Sequence, residues 1–296
     1  EKINLFGVSA KYIDFLKKEN LKFNHLNLSK LKIITSTGSP LVEESFKYVY
    51  KNIKKNVHLA SISGGTDVVG CLVLGNIFSS VHAGEIQGES LGIDIDIFDN
   101  SGKKVSQNKK GELVVKKPFP TMPIKFWNDV GNKKYKKAYF SKFKNIWHHG
   151  DFIQKTINNG FIIHGRSDST LNPGGVRIGT AEIYRQVENI DFVIESVVVG
   201  KQIENDTKII LFVVLKKNMK LDTRSIDFIK KEIKNNCSPK HVPYKIIQVN
   251  EIPRTKSGKI VELAVKKAIH GEKIENLQSL SNPESLDLFK KISNII

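Results

Sequence analysis

The residues able to do chemistry stand in five short groups, and each contains glycine. Ser61, Ser63, Gly64, Gly65, Thr66 and Asp67 follow a strand-like apolar run. Paired glycines bring backbone N–H groups close to a phosphate, and a carboxylate beside them can hold Mg²⁺. The same composition also fits an ordinary loop with an Asp cap. Gly38-Ser39-Pro40 reads by itself as a β-turn. Trp147, His148, His149, Gly150 and Asp151 put two adjacent imidazoles near an acid. Neighbours on a strand point to opposite faces, so these histidines cannot readily share a metal ion.

Residues 165–184 hold the densest group. They open with Gly165, Arg166, Ser167 and Asp168, pass through Asn172-Pro173-Gly174-Gly175, and close on Gly179-Thr180 before Ala181, Glu182 and Ile183. A polar joint between two patterned regions marks a domain boundary. A plain linker, however, needs neither Arg166, Asp168 and Arg177 nor paired glycines. The fifth group is Pro253-Arg254-Thr255-Lys256-Ser257-Gly258-Lys259. In so lysine-rich a chain it means nothing in isolation; its place after a strand and before a helix gives it content.

The positioning elements follow from periodicity. Residues 1–30 read as helical, with Tyr12, Phe15 and Leu16 on one face. A β-branched run at 31–36, a glycine turn, a helix at 42–54 and a strand at 57–62 form βαβ grammar and predict a parallel sheet. Short strands follow at 93–98 and 112–116, and Asn158-Asn159-Gly160 joins a hairpin of 152–157 with 161–164. Beyond the joint, Thr180 is the expected N-cap of a helix at 181–188. Strands at 193–200, 208–215 and 244–249 alternate with helices at 222–235 and 261–269, and Pro283 opens a tail helix.

The expected fold is therefore a large α/β domain, present in part, with mixed and parallel sheets and a small β-barrel-like region. A small α+β domain follows it. The expected division is residues 1–167 and 168–296.

Composition narrows the function. At 296 residues and 40% hydrophobic content there is material for a real core. No apolar run approaches the ~18 residues that span a bilayer. Cys71 and Cys237 form no metal or disulfide pattern and read as small buried hydrophobes, so a cytoplasmic setting is expected. The net charge of +17 would suggest nucleic acid, but the basic residues are lysines spread along the chain. Arginine occurs only at 166, 177, 185, 224 and 254, without interleaved aromatics, so nucleic acid is not an expected partner.

Residues 165–184 resemble the hinge motif of the adenylate-forming enzymes, the superfamily of acyl-CoA synthetases, luciferases and peptide-synthetase adenylation domains. The wording here, with Glu262 and residues 264–271, is most similar to the branch that activates acetoacetate. The resemblance implies ATP, Mg²⁺ and CoA as cosubstrates, adenylation of the acid, and transfer to CoA after the small domain rotates about Asp168. It implies that Thr66 contacts the α-phosphate with Gly65 beside it. Asp67 stands where the family usually has a metal-binding Glu. Gly38-Ser39-Pro40 is similar to the turn beneath the adenine, with Ser39 replacing the usual side chain.

By the same resemblance Asp151 binds the ribose hydroxyls with Arg166 beside it, and Arg177 contacts the nucleotide phosphate. Gly174 and Gly175 line the pantetheine channel, and Lys259 reaches the carboxylate and α-phosphate during adenylation. Gly64 matches the position of a pocket-flooring Trp in acetyl-type relatives, so glycine there implies room for a longer acid.

The family's Ser/Thr/Gly-rich phosphate loop is not among these residues. The expectation is a fragment, poorly active or inactive alone, of a longer ligase. Another short- or medium-chain acyl-CoA synthetase and a non-catalytic nucleotide-binding or basic interaction protein stay open. Oligomeric state is not legible.

Overall fold

The computed structural model describes residues 2–204, 206–274 and 276–292. The chain divides into two compact units, Glu1–Ile163 and His164–Ile296. In the first, β1 (Leu5–Ser9), β2 (Ile33–Thr37) and β3 (His58–Ser61) form a wholly parallel sheet in that order. α1 (Ala10–Lys18) and α2 (Glu43–Tyr48) connect its strands, and α2 runs on into a π-helical turn at Val49–Ile53. The βαβ unit predicted for residues 31–62 is present. The helical reading of 1–30 is corrected at its start, where Leu5–Ser9 is a strand paired with Ile33–Thr37.

Ser9 ends that strand and caps α1, its hydroxyl accepting the Tyr12 N–H at 3.1 Å. The face of α1 also differs from expectation. Ala10, Ile13 and Leu16 are buried with Ile34 and Leu59, while Tyr12 and Phe15 are exposed. Both stripes satisfy helical spacing, and the β1 pairing that selects between them is not a local pattern.

β4 (Ser63–Gly65), β5 (Gly70–Leu74) and β6 (Gly88–Glu89) make a small antiparallel sheet. β7 (Ile95–Phe98), β8 (Lys110–Val115), β9 (Trp147–Lys155) and β10 (Phe161–Arg166) make an antiparallel sheet of order β10-β9-β8-β7. That sheet is open; the barrel-like closure expected of this region is absent among the described residues. α3 (Lys133–Tyr139) lies between β8 and β9 in the chain, and its Tyr135 joins the core of the sheet. β10 runs across the division between the units.

In the second unit, α4 (Thr180–Val187) leads to β11 (Val193–Ile203), antiparallel to β12 (Asp206–Leu215). α5 (Thr223–Asn236) follows, with Asp222 accepting the Ser225 N–H as its cap. β13 (Lys245–Gln248) then pairs parallel to β12. α6 (Glu262–Ile269) and α7 (Ser285–Ile292) complete the unit.

β12 reads as a continuous apolar run because both its faces are covered. Ile209, Leu211, Val213 and Leu215 join a core with Ile183, Val187, Ile229 and Ile233. Ile210 and Phe212 join another with Val265, Ile269, Leu286 and Phe289.

Two caps depart from expectation. Gly179, not Thr180, precedes α4, and the Glu182 carboxylate accepts the Gly179 N–H at 2.8 Å. A Cβ on Gly179 would stand 2.2 Å from the His164 carbonyl oxygen, so the backbone there admits only glycine. Pro283 lies before α7 rather than at its first turn.

Candidate active site

Two of the glycine-containing loops in the first unit leave one edge of one sheet. Gly38-Ser39-Pro40 follows β2 and residues 62–67 follow β3, and these strands are parallel neighbours. The carboxyl ends of parallel strands are where open α/β sheets bind ligands. Gly38 takes φ +88°, the left-handed region its turn requires. Residues 62–67 do not enter a helix. They form β4 and the turn into β5, which puts Thr66 and Asp67 at the tip of a hairpin.

Gly64 meets a constraint that the sequence does not display. A Cβ there would lie 2.0 Å from the Gly70 carbonyl oxygen and 2.6 Å from the Cys71 Cα. Gly65 abuts His149, whose Cε1 would be 3.0 Å from a Cβ on it. The Asp67 carboxylate accepts the Tyr139 hydroxyl. The Tyr139 ring stacks on Trp147 at 3.6 Å, the Trp147 indole donates to His149 Nδ1 at 3.4 Å, and His149 Nε2 stands 3.8 Å from Asp151 Oδ2. Asp67 and Asp151, far apart in the chain, are thus joined through three side chains. Tyr139 was not legible as a site residue, because an aromatic among lysines carries no local signal; Trp147 stands in the predicted group beside the histidines but had no role assigned.

Asp151 is buried and sits in an irregularity of β9. Glu112 pairs with Phe152 and Val114 with His148, so two steps along β8 span four along β9. Gly150, at φ +83°, takes up the excess. A bulge of this kind re-aims a side chain. His148 and His149 point to opposite sides as expected, and His148 Nε2 meets Glu112 Oε2 at 2.8 Å. Glu112 is fully buried and also accepts from Lys142 at 2.6 Å. Among the described residues no cluster of three His, Cys, Asp or Glu could hold a metal ion. Mg²⁺ on a nucleotide needs one or two carboxylates and keeps its waters, so Asp67 at an exposed hairpin tip fits that role.

The other predicted residues lie in the second unit. Arg166 Nε stands 3.8 Å from Asp168 Oδ1, both half-exposed, and the Lys266 ammonium donates to the Asp168 carbonyl at 3.1 Å. Close by, Thr180 donates to Glu262, which also hydrogen-bonds Tyr184 and Ser169. Burial pushes the Glu262 carboxyl above its usual range, and burial together with Glu262 pushes Tyr184 well up.

Residues 172–177 form a loop closed at its base by two backbone bonds between Leu171 and Ile178. Gly174 and Gly175 take φ +54° and +78°, so glycine is favoured there by the backbone itself. The Gly174 N–H donates to Asp206 at 2.7 Å, and this bond leads the causes that hold the Asp206 carboxyl low. Arg177 is half-buried on the same loop. Lys259 ends a tight hairpin whose Thr255 N–H donates to the Lys259 carbonyl at 2.8 Å. Its side chain is exposed. Cys71 and Cys237 are only partly buried, a correction to their reading as core hydrophobes.

Comparison with known proteins matches these observations. Residues 185–259, which end on Lys259, match the AMP-binding enzyme C-terminal domain. An acetoacetyl-coenzyme A synthetase of Rhizobium meliloti is 52% identical over 296 residues, covering 100% of this chain and 45% of that protein. The acetoacetyl-CoA synthetase of Gallus gallus is 42% identical over 99% of this chain and 44% of its own length. The structure of acetoacetyl-CoA synthetase from Streptomyces lividans superposes with a TM-score of 0.91 at 38% identity, over 99% of this chain and 46% of that one. A benzoate CoA ligase from Burkholderia xenovorans, at 22% identity and a TM-score of 0.72 over 89% of this chain and 51% of its own, shares the fold. The chain spans less than half the length of the curated relatives it matches. Over its whole length the chain is similar to part of the acetoacetyl-CoA synthetases, and it has the fold of the adenylate-forming enzymes.

Proposed function

We propose that this chain is part of an ATP-dependent acid–thiol ligase that converts acetoacetate to acetoacetyl-AMP, releasing pyrophosphate, and then passes the acyl group to CoA with loss of AMP. One observation carries the reading. Identity of 52% extends over every residue of the chain to a protein named for that acid.

The resemblance assigns roles to particular residues, and the local geometry of Gly38, Asp67 and Asp151 is compatible with theirs. Asp151, aimed by the bulge in β9, accepts the ribose hydroxyls, and Arg166 is assigned to the nucleotide by resemblance. Gly38-Ser39-Pro40 lies under the adenine, and Gly65 and Thr66 meet the α-phosphate. Mg²⁺, when bound with ATP at Asp67, neutralises phosphate charge. Arg177 steadies the nucleotide phosphate. Lys259 brings a long flexible cation to the carboxylate and α-phosphate as charge builds in the transition state. Asp168 is the pivot of the small domain, and the Gly174-Gly175 loop lines the path of the CoA thiol. The partners of this reading are small molecules, and a cytoplasmic setting goes with it.

A second reading has its own observation. Gly64 is crowded by the β5 backbone, which gives glycine a reason unrelated to pocket size. Acetate, propionate or butyrate therefore remains the alternative acid.

Acid-dependent pyrophosphate release decides between them, measured across acetate, butyrate, 3-hydroxybutyrate and acetoacetate. This chain is run beside the protein extended upstream to its relatives' length. Activity greatest with acetoacetate and confined to the extended protein is expected. Lys259→Ala should lower adenylation at least about a hundredfold and spare thioester formation from supplied adenylate. A preference for acetate or butyrate overturns the choice of acid, and no activity with any acid overturns the ligase.

A further inference from the structure

The hairpin that presents Lys259 is fastened by a segment that comes later in the chain. Within the hairpin, the Gly258 N–H donates to the Thr255 carbonyl at 2.8 Å and the Lys259 N–H to Thr255 Oγ1 at 3.1 Å. On its other edge lies a strap of residues 279–282. The Lys256 N–H donates to the Ser279 carbonyl at 3.1 Å, the Ser281 N–H donates to the Arg254 carbonyl at 2.8 Å, and Thr255 bridges Leu280. Asn282 spends its whole amide here. Its Oδ1 accepts the Arg254 N–H at 2.9 Å, and its Nδ2 donates to the Ile252 carbonyl at 3.1 Å and to Glu251 at 2.8 Å.

The Arg254 side chain closes the remaining side. One guanidinium nitrogen donates to the Gly258 carbonyl, and another pairs with Glu195 on β11. The strap is itself anchored, because Leu280 and the α7 residues Leu286 and Phe289 are buried in the core under β12. The Phe289 ring stands 4.8 Å from Phe212.

We propose that Arg254 and the strap of residues 279–282 are the positioning elements of Lys259, turning a flexible turn into a fixed mount for a mobile cation. The proposal rests on the adenylating role of Lys259 given above. A lysine side chain has four freely turning carbons and cannot by itself fix where its ammonium goes. If its backbone also wandered, the ammonium would seldom meet the developing charge. With the backbone held on both edges, only the side-chain torsions remain to be ordered in the transition state. Arg254 and Glu195 lie within residues 185–259, which match the C-terminal domain family, and the strap of 279–282 lies beyond them.

The test separates fastening from chemistry. In the upstream-extended protein, Asn282→Ala should lower kcat for adenylation about tenfold, leave KM for ATP and acid within about twofold, and leave thioester formation from supplied adenylate unchanged. In this chain, amide hydrogen exchange at 255–259 should quicken. Glu195→Gln touches the same hairpin only through Arg254 and should act in the same direction, more weakly. If Asn282→Ala does not fold, Glu195→Gln decides. Unchanged exchange in both variants overturns the proposal, as does quicker exchange with undiminished adenylation or an equal loss in both half-reactions. Full adenylation by Lys259→Ala overturns the role of Lys259, and the catalytic purpose of the strap with it, whatever exchange shows.

Discussion

Gly64 shows how one residue can satisfy two arguments of different kinds. By resemblance it opens an acyl pocket; by geometry it lets β4 pass the backbone of Gly70 and Cys71. Gly64→Ala is expected to cost about 1 to 3 kcal/mol, read by urea denaturation, because the intruding methyl meets backbone rather than a flexible side chain. A bulky residue at 64 therefore cannot serve as a clean probe of acid selectivity. Glu262 makes a second prediction. Its carboxyl is raised above the ordinary 4.5, chiefly by burial, so the folded unit holds that proton more tightly than the unfolded chain does. Its stabilising contribution is full below pH 4.5 and is lost as pH rises through the raised value. Relative to Glu262→Gln, the native protein should lose up to about 1.4 kcal/mol per pH unit within that window, as followed by denaturation at stepped pH. Most groups proposed for the site were legible at this scale, because Gly38, Asp151, Arg177 and Lys259 sit in runs with specific wording. Tyr139 and Glu112 were not. Their partners Asp67 and His148 lie close to them only after folding.

At the scale of elements, the sequence marks where strands and helices run, and for neighbours in the chain how they pair, but it is silent on register. The bulge in β9 is an instance. Nothing in Trp147 to Asp151 announces that four residues oppose two, although Gly150 between two polar neighbours is the one available sign. Its φ of +83° yields a prediction. Gly150→Ala should destabilise the first unit by about 1 to 3 kcal/mol and raise the KM for ATP in the extended protein, because the bulge then aims Asp151 less well. Gly150→Asn should recover part of both, since asparagine tolerates the left-handed region. Equal damage from both substitutions would show that bulk, not backbone conformation, is what the site refuses. The face of α1 failed for the same reason as the bulge. Tyr12 and Phe15 make as good a helical stripe as Ala10, Ile13 and Leu16, and only the pairing of β1 with β2 chooses between them.

At the scale of the molecule, the two units differ in how far local pattern carries. The second was legible nearly element by element, since its strands and helices each have an unambiguous period and sharp ends. The first was legible from 31 to 62, at 93–98 and 112–116 and in the 152–164 hairpin; α3, the start of β9 and the short strands between 63 and 89, which depend on neighbours distant in the chain, were not. Composition also divides the molecule. All five arginines fall after residue 163, and three of them, Arg166, Arg177 and Arg254, stand in the proposed machinery or its mount. The first unit meets its needs for positive charge with lysine alone. The strand β12 sets a further condition on the second unit. Odd-numbered side chains from Ile209 serve one core, and Ile210 and Phe212 serve the other. Insertion of one residue in that strand would turn everything beyond it toward the opposite core, whereas insertion of two would restore the alternation. Descendants of this chain can thus exchange one apolar side chain for another in β12 but cannot change its length by one. Gaps in comparisons among its relatives should avoid this strand and collect in the loops on either side.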